Sequence, residues 1–446
     1  MTDSSKYFIT GANLLGETRS DITIEDGKIT AVTAAADNPQ VPEGFTHIDA
    51  AGLIALPGLV DPHVHLREPG REDAETVETG SRAAALGGFT AVMNMANSMP
   101  VADTAGVVEQ VYQLGQDSGW TFVQPIGAVT VGLEGTQLSE MGAMADSRAK
   151  VRVFSDDGIC VWDPAMMRRA LEYVKTFDGV IAQHAQEPRL TEDAQMNEGD
   201  LSVKLGLPGW PAVAEEAIIA RDVLLTQHTN SRLHVCHVST KGSVEIIRWA
   251  KSQGINVTAE VTPHHLLLTE ELVETFDPVY KVNPPLRRQE DVLALRDAVA
   301  DGTIDVIGTD HAPHTAETKC CEWPYAAMGM TGLETMLPIV KAALLDTGKI
   351  SWADFARVAS YSPAKIGNLD HMFGQEVAAG ANANLILVDP QISYTVVPEE
   401  HASKGRNSPY RGREVSGKVM YTFYMGHPVV ADAALATPNT TTNAKH

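Results

Sequence analysis

The sequence is poor in cysteine and has no long apolar run, and each absence excludes a class of protein. Its 446 residues include four cysteines, Cys160, Cys236, Cys320 and Cys321, which are too few for a disulfide framework and form no CxxC pair. No apolar stretch approaches the roughly 18 residues that a membrane-spanning helix needs, and the first residues lack the basic and apolar segments of a signal peptide. We therefore predict a reduced, cytoplasmic protein that does not associate with a membrane.

Basic residues are also scarce. The chain has 34 Lys and Arg against 57 Asp and Glu, which gives a formal net charge of −23. A nucleic-acid-binding protein needs a basic surplus to neutralise phosphates, so this balance argues against a nucleic-acid partner. A small anionic substrate needs only one or two local cations and remains compatible with the composition. The sequence contains no GxGxxG fingerprint, so a dinucleotide site is not indicated.

The two ends of the chain share a sequence pattern of short strands and turns that the middle lacks. Residues 1–55 and 373–432 read as short strands separated by turns, with a hairpin signal in the sequence EDGK. We predict that both ends assemble one small β-sandwich domain beside a catalytic domain of residues 56–372. The last residues, 433–446, are polar and are expected to form a flexible tail.

The middle of the chain alternates apolar strands with amphipathic helices. Eight candidate strands are rich in Val and Ile, as strands that are buried on both faces should be. They span residues 56–66, 89–97, 121–130, 150–157, 179–185, 232–239, 256–265 and 303–313. Eight such units predict a closed (β/α)8 TIM barrel of the α/β class, with an open doubly wound sheet as the alternative.

Histidines and acidic residues recur near the carboxyl ends of these strands. His63 and His65 lie near the carboxyl end of the first strand, and they share one face because side chains alternate along a strand. His184 ends the fifth strand, His237 ends the sixth, and Asp310 ends the eighth. Each of these alone has an ordinary explanation as a core histidine, a turn or a helix cap. In a TIM barrel, however, these strand ends converge on the active-site face, so together they indicate a shared metal site.

Asp156 and Asp157 end the fourth strand and complete the set of candidate ligands. They are adjacent, so only one can point into the barrel from a regular strand, and strand alternation does not decide which. Four histidines and two carboxylates are too many for one tetrahedral zinc and suit two divalent cations that share a carboxylate. Such a pair ionises a bridging water and polarises the carbonyl that the hydroxide attacks. Asp310 is the candidate to move that proton to a leaving nitrogen, which predicts a hydrolase of cyclic amides.

Several segments resemble the signature motifs of dihydroorotases. They are DPHVHLREPG (61–70), NMANSMP (94–100), FSDDG (154–158), CHVST (236–240), VNPPLR (282–287), GTDHAPH (308–314) and GLET (332–335). The HVHLREPG and TDHAPH segments are typical of the dihydroorotase, hydantoinase and allantoinase group, and ANSMP with VNPPLR favours dihydroorotase. The resemblance extends over residues 5–430 and is closest to the bacterial type in which an aspartate, rather than a carboxylated lysine, bridges two zinc ions.

The resemblance implies a role for each candidate residue. Its implied metal ligands are His63, His65, Asp157, His184, His237 and Asp310. Asp157 would bridge the two zinc ions of each subunit, and Asp310 would also be the proton shuttle. Its implied substrate contacts are His65, Arg67, Asn97, Asn283, His314 and the backbone at Met328 and Gly329. The implied reaction is the reversible interconversion of N-carbamoyl-L-aspartate and (S)-dihydroorotate in pyrimidine biosynthesis.

Recognition of the substrate carboxylate also has a physical basis in the sequence. Arg67 lies two residues beyond His65 and therefore shares its inward face. A guanidinium binds a carboxylate through two parallel hydrogen bonds. Asn97 ends the second strand and His314 follows Asp310 on the last loop, so both are placed to join that grip.

Other interpretations stay open on the sequence alone. A hydantoinase, dihydropyrimidinase or allantoinase would use the same barrel on a ring that needs no cation such as Arg67, and Lys150 starts the fourth strand too early to be a bridging carboxylated lysine. An inactive homologue that partners aspartate transcarbamoylase would have lost metal ligands, whereas every expected type is present. A metal-storing barrel leaves Asn97 and His314 without a purpose. The sequence does not decide whether the chain forms a homodimer or associates with aspartate transcarbamoylase.

Overall fold

The computed structural model describes residues 6–439 of the chain. In chain order the strands are β1 (Lys6–Leu14), β2 (Thr18–Glu25), β3 (Lys28–Ala34), β4 (Thr46–Asp49), β5 (Ile54–Pro57), β6 (Leu59–Val64), β7 (Phe89–Asn94), β8 (Phe122–Pro125), β9 (Val153–Phe154), β10 (Val180–Gln183), β11 (Met196–Asn197), β12 (Gly209–Trp210), β13 (Leu233–Val235), β14 (Val257–Val261), β15 (Val306–Ile307), β16 (Leu385–Thr395), β17 (Glu414–Tyr424), β18 (His427–Ala431) and β19 (Ala434–Leu435).

Helices separate most of these strands. They are α1 (Val77–Leu86), α2 (Ala105–Ser118), α3 (Met141–Asp146), α4 (Pro164–Val174), α5 (Asp200–Leu205), α6 (Val213–Thr229), α7 (Lys241–Ser252), α8 (Pro263–Leu267), α9 (Gln289–Ala300), α10 (Ala316–Lys319), α11 (Met336–Val340), α12 (Trp352–Ala356) and α13 (Ser362–Ile366). Among residues 6–439, each helix is too short or too polar to cross a membrane.

Eight parallel strands close into a barrel. Strands β6, β7 and β8 pair in sequence, and so do β9, β10, β13, β14 and β15. Single bridges join the two groups, from Gly127 to Phe154 on one side and from Val64 to His311 on the other. The ring is therefore continuous, which confirms the predicted TIM barrel and excludes the open doubly wound sheet. The eight strands lie where the sequence predicts them, although several are much shorter than their apolar segments.

The barrel helices pack through one apolar face, and α4 shows how the sequence produces this. Pro164 occupies its first turn, where the missing N–H costs nothing, and the Asp163 side chain accepts a hydrogen bond from the Met166 N–H at 2.7 Å. Its buried residues are Met166, Met167, Ala170, Leu171 and Val174. That spacing follows the helical repeat and forms the stripe that covers the barrel strands.

Strands from both ends of the chain form the second, smaller β-sandwich domain. The order across its sheet is β19-β18-β17-β16-β5-β1-β2-β3, and β4 pairs with β1. The predicted EDGK hairpin joins β2 to β3, with Glu25 paired to Lys28. Ile9 and Ile22 from the start of the chain pack in one apolar cluster with Leu385 and Phe423 from its end. The two terminal segments therefore fold as one unit.

The predicted flexible tail is partly wrong. Strand β19 pairs with β18, so the chain is still part of the sheet at Ala434 and Leu435. Farther along, the Asn439 N–H donates to the Gly119 carbonyl at 2.7 Å, and its side-chain amide donates to the Tyr424 carbonyl at 3.1 Å. A polar sequence can thus be ordered when its amides meet backbone acceptors. Residues 440–446 of the predicted tail lie outside the described residues.

Candidate metal centre and active site

The six predicted metal ligands gather at the carboxyl ends of five barrel strands. His63 lies within β6 and His65 directly follows it, while His184 comes immediately after β10. Asp157, His237 and Asp310 lie two or three residues beyond β9, β13 and β15. Because β9, β13 and β15 are short, these last three side chains lie at the starts of loops rather than in regular strands. Every one of the six is buried.

The first group of candidate ligands is His63, His65 and Asp157, with Asp310 beside it. The Nε2 atoms of His63 and His65 each lie 3.4 Å from Oδ2 of Asp157. Asp310 Oδ1 lies 3.1 Å from His65 Nε2 and 3.5 Å from His63 Nε2. Two imidazole nitrogens and two carboxylate oxygens therefore converge on one small volume.

The second group consists of Asp157, His184 and His237. His184 Nδ1 lies 3.2 Å and His237 Nε2 lies 3.1 Å from Oδ1 of Asp157. The two ring nitrogens are 2.9 Å apart. Asp157 thus faces one group with Oδ2 and the other with Oδ1, which is the arrangement of a carboxylate shared between two cations.

The donor atoms in these groups fit metal ions better than they fit one another. His63 Nε2 is buried and has no hydrogen-bond partner among the described residues. His63 Nδ1 lies 3.0 Å from Glu260 Oε1 and His65 Nδ1 lies 2.9 Å from Asn97 Oδ1, so each ring can donate from Nδ1 and turn its Nε2 lone pair toward the site. Buried nitrogen lone pairs without a donor are costly unless a cation receives them.

Asp156, the alternative to Asp157, is engaged elsewhere. Its Oδ1 accepts the N–H groups of Val129 at 2.8 Å and Thr130 at 3.0 Å, and its Oδ2 accepts the Thr130 hydroxyl at 2.5 Å. Asp156 therefore fixes the loop that follows β8. The structure separates two adjacent residues that strand alternation could not separate, and it brings Asp157 to the histidines.

The surrounding imidazoles keep both carboxylates ionised despite burial. Burial opposes the charged form of Asp157, but attraction to His63 and hydrogen bonds from His184 and His237 outweigh it and hold its pKa well below the usual range. Burial likewise opposes ionisation of Asp310, but His63 and His65 lower its pKa to about 2. Both carboxylates are therefore ionised at neutral pH, which is the form in which a carboxylate binds a divalent cation.

Glu260, on β14, is a functional candidate that the sequence reasoning missed. It is fully buried, and its Oε1 receives both His63 Nδ1 at 3.0 Å and the His237 N–H at 3.2 Å. Its Oε2 lies 3.5 Å from His234 Nε2. One carboxylate thus orients candidate ligands from both metal groups. The signal in the sequence was a single acid inside an apolar strand that is buried on both faces.

We expect Glu260→Gln to weaken metal binding by about 10- to 100-fold, because carboxylate partners of this kind orient a histidine ligand and raise its basicity. The measurement is the zinc affinity of the purified variant, titrated after chelator treatment. Glu334→Gln is the control, since Glu334 is a partly buried acid that accepts the N–H groups of Ala402 and Ser403 and belongs to neither group of candidate ligands. Unchanged affinity in the Glu260 variant would remove this role.

Three residues of the site have left-handed backbone angles. Arg67 has φ 62°, His237 has φ 31° and Asp310 has φ 47°. Such angles cost a residue with a side chain on the order of 1 kcal/mol or more and persist only where surrounding contacts impose them. Each of these residues follows a strand end, so the strained backbone turns its side chain toward the centre of the barrel mouth.

A cavity of about 220 Å³ opens beside the two metal groups. Its lining includes the predicted residues His65, Arg67, Asn97, Asp157, His184, Asn283, Asp310, His314, Met328 and Gly329. His63 and His237 are buried and do not line it. The structure therefore places every predicted substrate contact on the wall of one cavity, together with Asp157, His184 and Asp310 of the candidate metal groups.

The cation of this cavity is Arg67. Its Nε donates to the Pro313 carbonyl at 3.2 Å, which fixes the guanidinium plane. Burial lowers its pKa to about 10, so it stays charged at neutral pH. His314 is different, because its Nε2–H donates to the Met328 carbonyl at 2.9 Å and burial lowers its pKa to about 3. The neutral His314 ring has no second proton to give, which leaves Arg67 as the main partner for an anion.

Asn283 brings an unsatisfied acceptor to the same cavity. Its Nδ2 donates to Gln186 Oε1 at 3.1 Å, whereas its Oδ1 is buried without a hydrogen-bond partner among the described residues. The same Gln186 oxygen lies 2.8 Å from His184 Nε2. Gln186, which the sequence did not single out, therefore couples a candidate metal ligand to a candidate substrate contact.

Lys150, His264 and His265 lie outside the two ligand groups. Lys150 donates to the Asp146 carbonyl at an exposed position, so it is no bridging lysine. His265 is buried between Thr262 Oγ1 and the Pro284 carbonyl. His264 is also buried, and its Nε2 has no partner in the described part of the chain. Both histidines follow β14, on helix α8.

The comparisons with known proteins agree with this geometry. A family model described as dihydro-orotase-like matches residues 52–243. The chain is 62% identical over 437 residues to a dihydroorotase of Leifsonia xyli subsp. xyli, with 98% of each chain covered. It is 62% identical over 431 residues to a dihydroorotase of Streptomyces coelicolor, covering 97% of this chain and 100% of that one.

Among solved structures, the L-hydantoinase (dihydropyrimidinase) from Arthrobacter aurescens superposes with a TM-score of 0.86 at 25% identity, with 98% of each chain covered. The two chains thus share the barrel and the small β domain. The chain is 62% identical to each of the two dihydroorotases and 25% identical to this hydantoinase, so sequence rather than fold distinguishes the two kinds of relative. From the ligand geometry and from relatives that match almost its whole length, this chain belongs to the dihydroorotase family.

Proposed function

We propose that this chain catalyses the reversible hydrolysis of (S)-dihydroorotate to N-carbamoyl-L-aspartate, a step of pyrimidine biosynthesis. The observation that carries the proposal is the cavity that joins two candidate metal groups to a partly buried, charged Arg67. A cyclic amide that bears a carboxylate needs both features at once. The family relationship points to the same activity.

We further propose that the site holds two zinc ions, with Asp157 as the shared ligand. His63, His65 and Asp310 would hold one ion, and His184 and His237 the other. When bound, the metals supply Lewis acidity for the amide carbonyl and ionise a water at neutral pH. Support comes from the opposite orientation of the two Asp157 oxygens and from the bare His63 Nε2.

In this proposal Asp310 moves the proton. It is an anion at neutral pH, it lies 3.1 Å from His65 Nε2, and it lines the cavity as well as the metal site. It can therefore accept a proton from the attacking water and deliver it to the ring nitrogen that leaves. The reverse reaction uses the same carboxylate in the opposite protonation state.

The walls of the cavity orient the substrate. Arg67 binds the substrate carboxylate, and Asn97, whose Oδ1 is engaged by His65, retains its amide N–H groups for the same anion. Asn283 Oδ1, the unsatisfied acceptor, receives a ring N–H. His314, Met328 and Gly329 close the wall beside Arg67. The scissile amide is then directed toward Asp157 and Asp310.

The decisive assay compares dihydroorotate with hydantoin, dihydrouracil and allantoin on the zinc-loaded enzyme. We expect kcat/KM to favour dihydroorotate by about 100-fold or more, because the other rings leave the partly buried Arg67 charge unpaired. Metal content is measured on the same sample. Faster turnover of any of these other rings with full metal content would instead make the chain a hydantoinase-type enzyme, the activity named for the similar Arthrobacter structure.

We also propose a cytoplasmic location. The four cysteines are all free, and two of them, Cys160 and Cys236, are buried. Burial raises the pKa of both thiols to about 12, which keeps them protonated and unreactive. A chain with four unpaired thiols suits a reducing compartment.

A further inference from the structure

One segment of the small β-sandwich domain reaches the active-site face of the barrel. Residues 401–412, here called the crossing segment, run between β16 and β17. Glu334 accepts the N–H groups of Ala402 and Ser403, both at 3.2 Å. Glu75 accepts the Lys404 N–H at 3.1 Å and the Ser403 hydroxyl. Buried Glu75 and partly buried Glu334 therefore fasten the start of the crossing segment to the barrel.

The middle of the crossing segment packs at backbone distance against the loop that follows β15. A Cβ at Gly405 would lie 2.6 Å from Pro313 Cβ and 2.8 Å from Thr331 Cγ2, so no larger residue fits there. Pro313 in turn supplies the carbonyl that fixes the Arg67 guanidinium. This close approach carries the next residues of the crossing segment to the outer side of the cavity wall.

The side-chain amide and the carbonyl oxygen of Asn407 all form hydrogen bonds to that wall. Its Oδ1 accepts the His314 N–H at 3.1 Å, and its Nδ2 donates to the carbonyls of Ala312 at 2.9 Å and Gly329 at 3.1 Å. Its own carbonyl accepts the Thr331 N–H at 3.2 Å. The residue is 5% exposed, so water cannot replace these bonds.

The two stretches that Asn407 joins are the ones that close the cavity beside Arg67. His314 and Ala312 belong to the loop after β15, and Gly329 belongs to the stretch that returns to it; all three line the cavity. The fit between the stretches is tight, because a Cβ at Gly329 would lie 2.8 Å from both Ala312 Cβ and His314 Nε2. A small separation of the stretches would therefore change the shape of the carboxylate pocket.

We propose that Asn407 is a positioning residue for substrate binding, through which the small β-sandwich domain sets the carboxylate pocket of the barrel. The inference rests on the proposed function. Asn407 does not line the 220 Å³ cavity and reaches it through the lining residues His314, Ala312 and Gly329. It affects the binding of the substrate carboxylate, and that carboxylate is bound equally in the ground state and in the transition state. Its loss therefore raises KM and largely spares kcat.

The test is steady-state kinetics of Asn407→Ala with dihydroorotate on the zinc-loaded enzyme. We expect KM to rise roughly 10-fold or more, kcat to fall by less than about threefold, and metal content to stay normal. Asn384→Ala is the matched control, because Asn384 is equally buried and also bonds backbone groups, the Met372 carbonyl and the Met425 N–H, but lies outside the cavity wall. A merely structural loss would affect both variants alike.

Asn407→Asp keeps the size of the side chain and the acceptor for His314 while removing the donors to Ala312 and Gly329. We expect it to raise KM as well, which keeps the test decisive if the alanine variant does not fold. An Asn407 variant whose KM rises no more than that of the Asn384 variant, or whose kcat falls at constant KM, overturns the inference. Absence of dihydroorotate turnover by the wild-type enzyme would instead overturn the proposed function, and the inference with it.

Discussion

Asp310→Asn is expected to lower kcat for dihydroorotate by about 100- to 10,000-fold, the usual loss when a general base is removed. The Asp310 carboxylate is ionised at neutral pH because His63 and His65 outweigh its burial and lower its pKa to about 2. Asparagine has nearly the same shape and retains one oxygen toward the metal group. It cannot take a proton from water, so the chemical step fails while substrate still binds.

The control for this variant is Asp156→Asn. Asp156 is buried to a similar extent and lies next to the bridging candidate, but its oxygens are bound to Val129 and Thr130. Its loss should lower thermal stability and leave kcat within a few fold. Metal content is measured for both proteins. If Asp310→Asn turns over at nearly the wild-type rate with a full complement of metal, the proton is carried by another group.

The barrel could be predicted because its strands are buried on both faces and alternate with amphipathic helices. The same reasoning placed His63, His184 and His237 together, since the carboxyl ends of parallel strands must meet. It failed between Asp156 and Asp157, because β9 ends at Phe154 and strand alternation no longer applies two residues later. Which of the two carboxylates faces the histidines depends on which one accepts hydrogen bonds from the loop after β8.

The residues that sequence reasoning missed act over long separations. Glu260 meets His63 across 197 positions, and Asn407 meets Ala312 across 95. Neither lies in a segment with a periodic or motif signal that names its partner. Such contacts depend on how the barrel closes and on where the crossing segment enters, which are properties of the folded chain. The polar stretch around Asn439 was misjudged for the same reason.

Arg67→Met is expected to raise KM for dihydroorotate by roughly 30- to 4,000-fold. Removing one partner of a buried charge pair costs about 2–5 kcal/mol, and each 1.4 kcal/mol is a factor of ten in binding. Methionine fills much of the same volume and adopts the left-handed angle, φ 62°, at a similar cost to arginine, so the backbone is not the variable. What disappears is the cation that pairs with the substrate carboxylate.

Two comparisons isolate that charge. Arg71→Met removes a nearby exposed arginine that pairs with Asp73. It should leave KM for dihydroorotate unchanged, because the effect of Arg67 comes from direct contact with the substrate and not from the local positive charge. Dihydrouracil, which lacks the carboxylate, should bind the Arg67→Met variant no worse than the wild type. An unchanged KM for dihydroorotate would mean that the carboxylate sits elsewhere. Pro313 holds the Arg67 guanidinium, and the crossing segment packs on Pro313. The role proposed for Asn407 in shaping the carboxylate pocket would then be wrong as well.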